Sequence, residues 1–114
     1  MKAFKCLAVA LLLFTAAAPC FAAENQSETP LAIMTFNIRF NNPDDGPNAW
    51  PNRKDMAASM IRFHGADIAG LQEALKGQVD DLAERLPEYA WFGVGRDDGR
   101  EAGEFMAVFY RKDR

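Results

Sequence analysis

The chain has 114 residues, 49 % of them apolar, and a formal charge of −3 at neutral pH. That is room for one small domain rather than several. The acidic balance argues against a non-specific polyanion binder, which needs a basic stripe, but leaves room for an enzyme that meets phosphate through a bound cation.

Lys2 and Lys5 precede an apolar run from Cys6 to Ala18, and Pro19 then breaks any helix. Cys20, Phe21 and Ala22 put small residues at the −3 and −1 positions of a cut after Ala22. Residues 1–22 therefore read as a cleavable secretory signal peptide, and the protein as secreted or periplasmic. An uncleaved membrane anchor is the competing reading. The apolar run is nearer the roughly 7–15 residues of a signal core than the about 20 of a spanning helix. Lipid attachment at Cys20 is disfavoured by Pro19, which sits where a small residue should precede it. After cleavage no stable membrane anchor is expected. Loss of Lys2 and Lys5 moves the charge from −3 to −5, and both cysteines leave with the leader. The remaining chain holds no disulfide, although that compartment permits them.

Residues 23–30 are polar, aperiodic and end in Pro30, a flexible lead-in. Asn25-Gln26-Ser27 matches a glycosylation acceptor pattern of a kind common by chance. Leu31 to Phe36 is a short apolar run of the kind that suits a buried strand, and it delivers the polar Asn37 at its end. Residues 41–48 (NNPDDGPN) form a dense turn signal. A helix follows from about Arg53 to His64, with Met56, Met60 and His64 at i, i+4, i+8 beside Ala57 and Ile61, and Gly65 as its stop. Ile68 to Leu71 is a second apolar strand running directly into Gln72 and Glu73. A second helix spans Gln78 to Leu86, with Val79, Leu82 and Leu86 on one face and Pro87 at its end. Tyr89 to Val94 and Phe105 to Tyr110 have strand composition, separated by a loop containing Gly95, Gly99 and Gly103.

The first strand–helix–strand unit matters most. The stretch from Phe40 to Ala66 is long enough for the crossover that a parallel pair requires. In a parallel pair, Asn37 and Glu73 meet at the C-terminal edge of the sheet, where open α/β sheets bind ligands. A carboxylate with an amide oxygen there suits Mg²⁺, a hard cation that keeps several waters.

Met34-Thr35-Phe36-Asn37-Ile38-Arg39 resembles the opening strand of the endonuclease/exonuclease/phosphatase family. Ala66-Asp67-Ile68-Ala69-Gly70-Leu71-Gln72-Glu73 resembles its second motif. Trp50 and Arg53, Gly93 to Gly99, and Gly103-Glu104 through Phe109-Tyr110-Arg111 are similar to secreted bacterial members. The resemblance implies an α/β (α+β) sandwich of two packed mixed β-sheets flanked by helices, with residues 31–114 as an incomplete N-terminal part. It implies a metal-dependent phosphoester hydrolase in which Glu73 ligates Mg²⁺ or Mn²⁺. Asn37 joins Glu73 at the metal and orients the phosphate or a metal-bound water. Glu104 orients a catalytic histidine, and Arg96 and Arg100 are candidates for the substrate phosphate.

The family completes its site with later residues, including two histidines. The only histidine here is His64, expected as a packed or capping residue. The chain is thus expected to be cut short and inactive alone, lacking a base to activate water. The alternative class is a non-catalytic secreted metal-binding or interaction module, or a degenerate remnant. Asp44-Asp45 and Asp97-Asp98 lack calcium-loop spacing and read as turn residues. Trp50, Trp91 and Phe92 read as anchors rather than a substrate platform. The expected partner is a phosphate ester of unknown type, with nucleic acid not favoured by the charge.

Overall fold

The computed structural model of the chain describes residues 29–114. The expected leader, its cut after Ala22, the Asn25 triplet and most of the lead-in lie outside the described residues. The elements in chain order are strand β1 (Ile33–Asn37), a 3₁₀ segment (Pro43–Asn48), helix α1 (Trp50–Phe63), strand β2 (Ile68–Gln72), helix α2 (Lys76–Arg85), strand β3 (Tyr89–Phe92) and strand β4 (Val108–Arg111). They build one mixed four-stranded sheet in the order β1-β2-β4-β3. β1 and β2 are parallel, as the long crossover requires, and β4 is antiparallel to both β2 and β3. Among the described residues no helix is long and apolar enough to cross a membrane.

Both helices lie on one face of this sheet. Ile61 of α1 and Val79 and Leu82 of α2 meet Leu71 of β2 and Phe109 of β4, all fully buried. Burial of each contributes roughly 1.5–3 kcal/mol relative to leaving it exposed. Trp50 closes the helix layer from the side, buried and donating through Nε1 to Asp81 Oδ2 at 2.8 Å. The opposite face carries Ile33, Ile68, Val108, Tyr110 and Phe92 in matching register, and its outer members stay in solvent, Ile33 at 69 % and Phe92 at 61 %.

Two expectations need correction, and a third, for His64, resolves to the second of its alternatives. The first strand is not buried; it is a sheet edge whose residues alternate between exposed and half-buried. Among the described residues it has no neighbour on one side, so its apolar composition does not by itself bury it. Helix α1 buries Trp50, Ala57, Ala58 and Ile61, while Met56 and Met60 are exposed. The small alanines let the helix approach the sheet, and the methionines fall on its flank beside Phe36 of β1. His64 is exposed rather than packed. It holds the C-cap position, its N–H donating to Met60 O at 3.1 Å, and Gly65 follows with φ 59°. Such a left-handed residue after a helix favours glycine.

Element ends also shift. Helix α1 starts at Trp50 because Pro51 fits a first helical turn, where its missing N–H costs nothing. Helix α2 starts at Lys76 rather than Gln78. The last strand begins at Val108, since Phe105 leaves the ladder to bridge both Ala74 and Gly95.

Candidate metal centre

Parallel pairing sets Ile33 beside Ile68 and Asn37 beside Gln72, so the two strands end together. Glu73 follows at once, 36 residues from Asn37 in sequence. Asn37 Nδ2 donates to Glu73 Oε1 at 2.8 Å, and the Phe40 N–H donates to Oε2 at 3.3 Å. Asn37 Oδ1 accepts the Arg39 N–H at 2.8 Å, closing a turn of the kind asparagine favours. The structure thus brings Asn37 and Glu73 together, with the amide nitrogen of Asn37 on the carboxylate and its oxygen engaged by the backbone.

The backbone here is strained. Arg39 (φ 55°) and Glu73 (φ 59°) adopt left-handed conformations that side chains other than glycine rarely take. Each costs on the order of 1–3 kcal/mol and persists only where its surroundings impose it. At Glu73 this turn carries the carboxylate across to β1. The Asn37 amide above all, then the Phe40 N–H, holds the Glu73 carboxyl below the ordinary carboxylate range. Partial desolvation opposes this and the Arg39 charge assists it. Glu73 is therefore ionised at neutral pH.

The turn after β1 is held from outside as well. Arg39 grips Asp45 with two bonds of 2.8 Å, which raises the guanidinium pKa and depresses that of the carboxyl. Arg53 lies 5.6 Å from the Trp50 ring and donates to the carbonyls of Ile38 (2.7 Å), Arg39 (3.4 Å) and Asn48. Trp50 is an anchor, not a platform.

A second polar group forms on the loop between β3 and β4. Arg96 Nη1 donates to Glu104 Oε2 at 3.1 Å and Nε to Asp97 Oδ1 at 3.3 Å. Asp98 Oδ1 accepts the Arg100 and Ala102 N–H groups at 2.7 and 3.0 Å, so it is a turn residue. Gly95 is buried against Ala102, and a Cβ there would strike the Ala102 backbone. Among the described residues no hydrogen bond or ion pair joins Arg96, Arg100 or Glu104 to Asn37 or Glu73. The link between the groups is Phe105, whose N–H donates to Ala74 O at 2.6 Å.

Among the described residues no three His, Cys, Asp or Glu side chains form a metal cage. The donor chemistry still fits Mg²⁺, which takes one or two carboxylates and keeps waters for the rest. Glu73 is partly exposed, and each of its oxygens accepts one hydrogen bond while retaining a further lone pair. Sequence reasoning misses Phe40 and Gln78 as parts of this site, and Arg39 beyond its place in a motif. The left-handed turn at Arg39 has no sequence signal, because arginine is not a turn residue. Gln78 has one, a polar residue entering the apolar stripe of Val79, Leu82 and Leu86.

The family model described as endonuclease/exonuclease/phosphatase family matches residues 34–114. Among solved structures, an endonuclease/exonuclease/phosphatase from Bacteroides vulgatus is 54 % identical with a TM-score of 0.69, over 70 % of this chain and 31 % of that one. A family protein from Bacteroides thetaiotaomicron is 41 % identical with a TM-score of 0.71, over 74 % and 32 %. The mannosyl-6-phosphatase of the same organism is 40 % identical with a TM-score of 0.71, over 75 % and 33 %. The chain thus spans 31–33 % of the length of these solved relatives. No curated protein matches it.

Proposed function

The chain belongs to the endonuclease/exonuclease/phosphatase family, and from that premise we propose that it supplies the metal-binding part of a secreted or periplasmic phosphoester hydrolase. The observation that carries this reading is the Asn37–Glu73 bond of 2.8 Å at the shared end of two parallel strands. Glu73 would hold Mg²⁺ or Mn²⁺, and the bound ion supplies Lewis-acid neutralisation of the phosphate oxygens. Asn37 fixes the carboxylate and, with its remaining lone pair, orients phosphate or a metal-held water. Glu104 would orient a catalytic histidine, and Arg96 and Arg100 would meet substrate phosphate. Arg96 must first leave Glu104, its partner here.

The proposed substrate is a small phosphate ester. The charge of −3 disfavours long nucleic acid, and a relative named mannosyl-6-phosphatase supports a phosphorylated small molecule. The second sheet face, with Ile33 and Phe92 exposed and Ile68 and Val108 half-buried, supports a packed second sheet as in the family fold. Residues 1–22 act as the export signal and residues 23–30 as a lead-in to the partial domain. The one histidine of the sequence, His64, caps helix α1 and makes no hydrogen bond to Asn37 or Glu73, so it is not the base of this site.

In a protein of full family length, Glu73→Ala should abolish Mg²⁺-dependent hydrolysis of p-nitrophenyl phosphate and its bis-ester. The thermal transition should be nearly unchanged. Retained hydrolysis would refute the assignment of Glu73.

A further inference from the structure

We propose that Gln78 is a positioning residue for the Glu73 carboxylate, gripping the far end of the peptide whose N–H holds it. The proposal rests on Glu73 as the metal ligand and adds a residue that fixes it.

Gln78 is 1 % exposed, and with Asp67 it is one of two buried polar side chains among the described residues. A buried amide is costly unless its hydrogen bonds are made. Gln78 makes three. Its Oε1 accepts the N–H of Asn41 at 2.9 Å and of Leu75 at 3.1 Å, and its Nε2 donates to Arg39 O at 2.9 Å. The Leu75 bond alone is ordinary helix capping, in which a glutamine reaches back to the residue before its helix. The other two bonds reach residues 37 and 39 positions away, in the turn after β1.

Arg39 C=O and Phe40 N–H belong to one planar peptide and point in opposite directions. Gln78 holds the oxygen of that peptide at 2.9 Å, with Arg53 a longer second donor at 3.4 Å, and Glu73 Oε2 accepts its N–H at 3.3 Å. The grip therefore sets the direction of the N–H and sustains the left-handed Arg39 that produces it. Through Leu75 the same side chain ties down the backbone two residues beyond Glu73. Partners that orient a metal ligand commonly change metal affinity by about 10–100-fold when removed.

The test uses the purified chain with Mn²⁺ alone as probe, read by water-proton relaxation, together with amide exchange by NMR. Gln78→Met keeps the length of the side chain and removes its polar atoms. It should weaken Mn²⁺ binding about 10-fold or more and speed exchange at Asn41 and Leu75, with the amides of β2 and β4 unchanged. Wild-type affinity in this variant overturns the proposal. So does faster exchange spread evenly through the sheet, which marks lost stability alone. If Gln78→Met does not fold, the wild-type protein decides by reciprocity: whatever the clamp contributes to metal binding, the metal returns to the clamp. Saturating Mg²⁺ should then slow exchange at Asn41 and Leu75, and unchanged exchange overturns the proposal. Glu73→Gln is the separate control. If it binds Mn²⁺ like the wild type, the metal reading itself fails, whatever Gln78 does.

Discussion

Glu73 and Glu104 sit in regions built by different means. At the end of β1 and β2 the carboxylate is held by groups 33 and 36 residues away and by a strained backbone at its own position. On the loop between β3 and β4, Glu104 pairs with Arg96 only eight residues away, through side chains that are 38 % and 64 % exposed. The first arrangement exists only when the crossover has closed and the helices have packed. The second needs little more than a loop. A carboxylate fixed by long-range contacts is preorganised for a ligand, whereas one held by an exposed arginine can be re-paired.

Phe105 joins the two regions, so its loss should have the largest effect. It is 1 % exposed and its N–H bonds to Ala74, next to Glu73. Phe105→Ala should cost about 3–5 kcal/mol in denaturant unfolding. The residue-105 N–H survives in the variant, but without the buried ring that seats it between Ala74 and Gly95 both regions should lose order in amide exchange; disturbance confined to one would separate them.

A smaller, sharper break comes from Asn37→Leu. Asn37 is the main cause of the depressed Glu73 pKa, so the variant should raise the carboxyl midpoint toward its ordinary range. A depressed carboxyl contributes stability above its unfolded pKa and loses it as pH falls through the folded value. The variant should therefore lose that contribution, and Mn²⁺ binding, at a higher pH than wild type. NMR titration of Glu73 beside Mn²⁺ relaxation checks this, and identical midpoints would deny the Asn37 bond its role. The smallest effect belongs to Arg96→Ala. An exposed pair is worth about 0.2–1 kcal/mol, and Mn²⁺ affinity should stay within about twofold, since an exposed pair of this size lies outside the ligand shell. A larger loss on either measure would show that the two regions are coupled more closely than Phe105 implies.

The strands, the helices and the coincidence of Asn37 with Glu73 are legible in the sequence, because apolar periodicity, Gly and Pro punctuation and crossover length are local properties. So is the turn role of Asp98. The edge position of β1, the buried face of α1 and the exposure of His64 are not, because each depends on which surface a neighbour covers. The finer construction of the site belongs to the same class. By itself the sequence determined that a carboxylate and an amide arrive at one sheet edge. Only the tertiary structure decided how they meet, with the amide nitrogen on the carboxylate, Glu73 turned left-handed and Gln78 buried against Arg39 O. Those choices are enforced by contacts more than thirty residues apart in the chain, and no local pattern encodes a conformation that only distant packing can sustain.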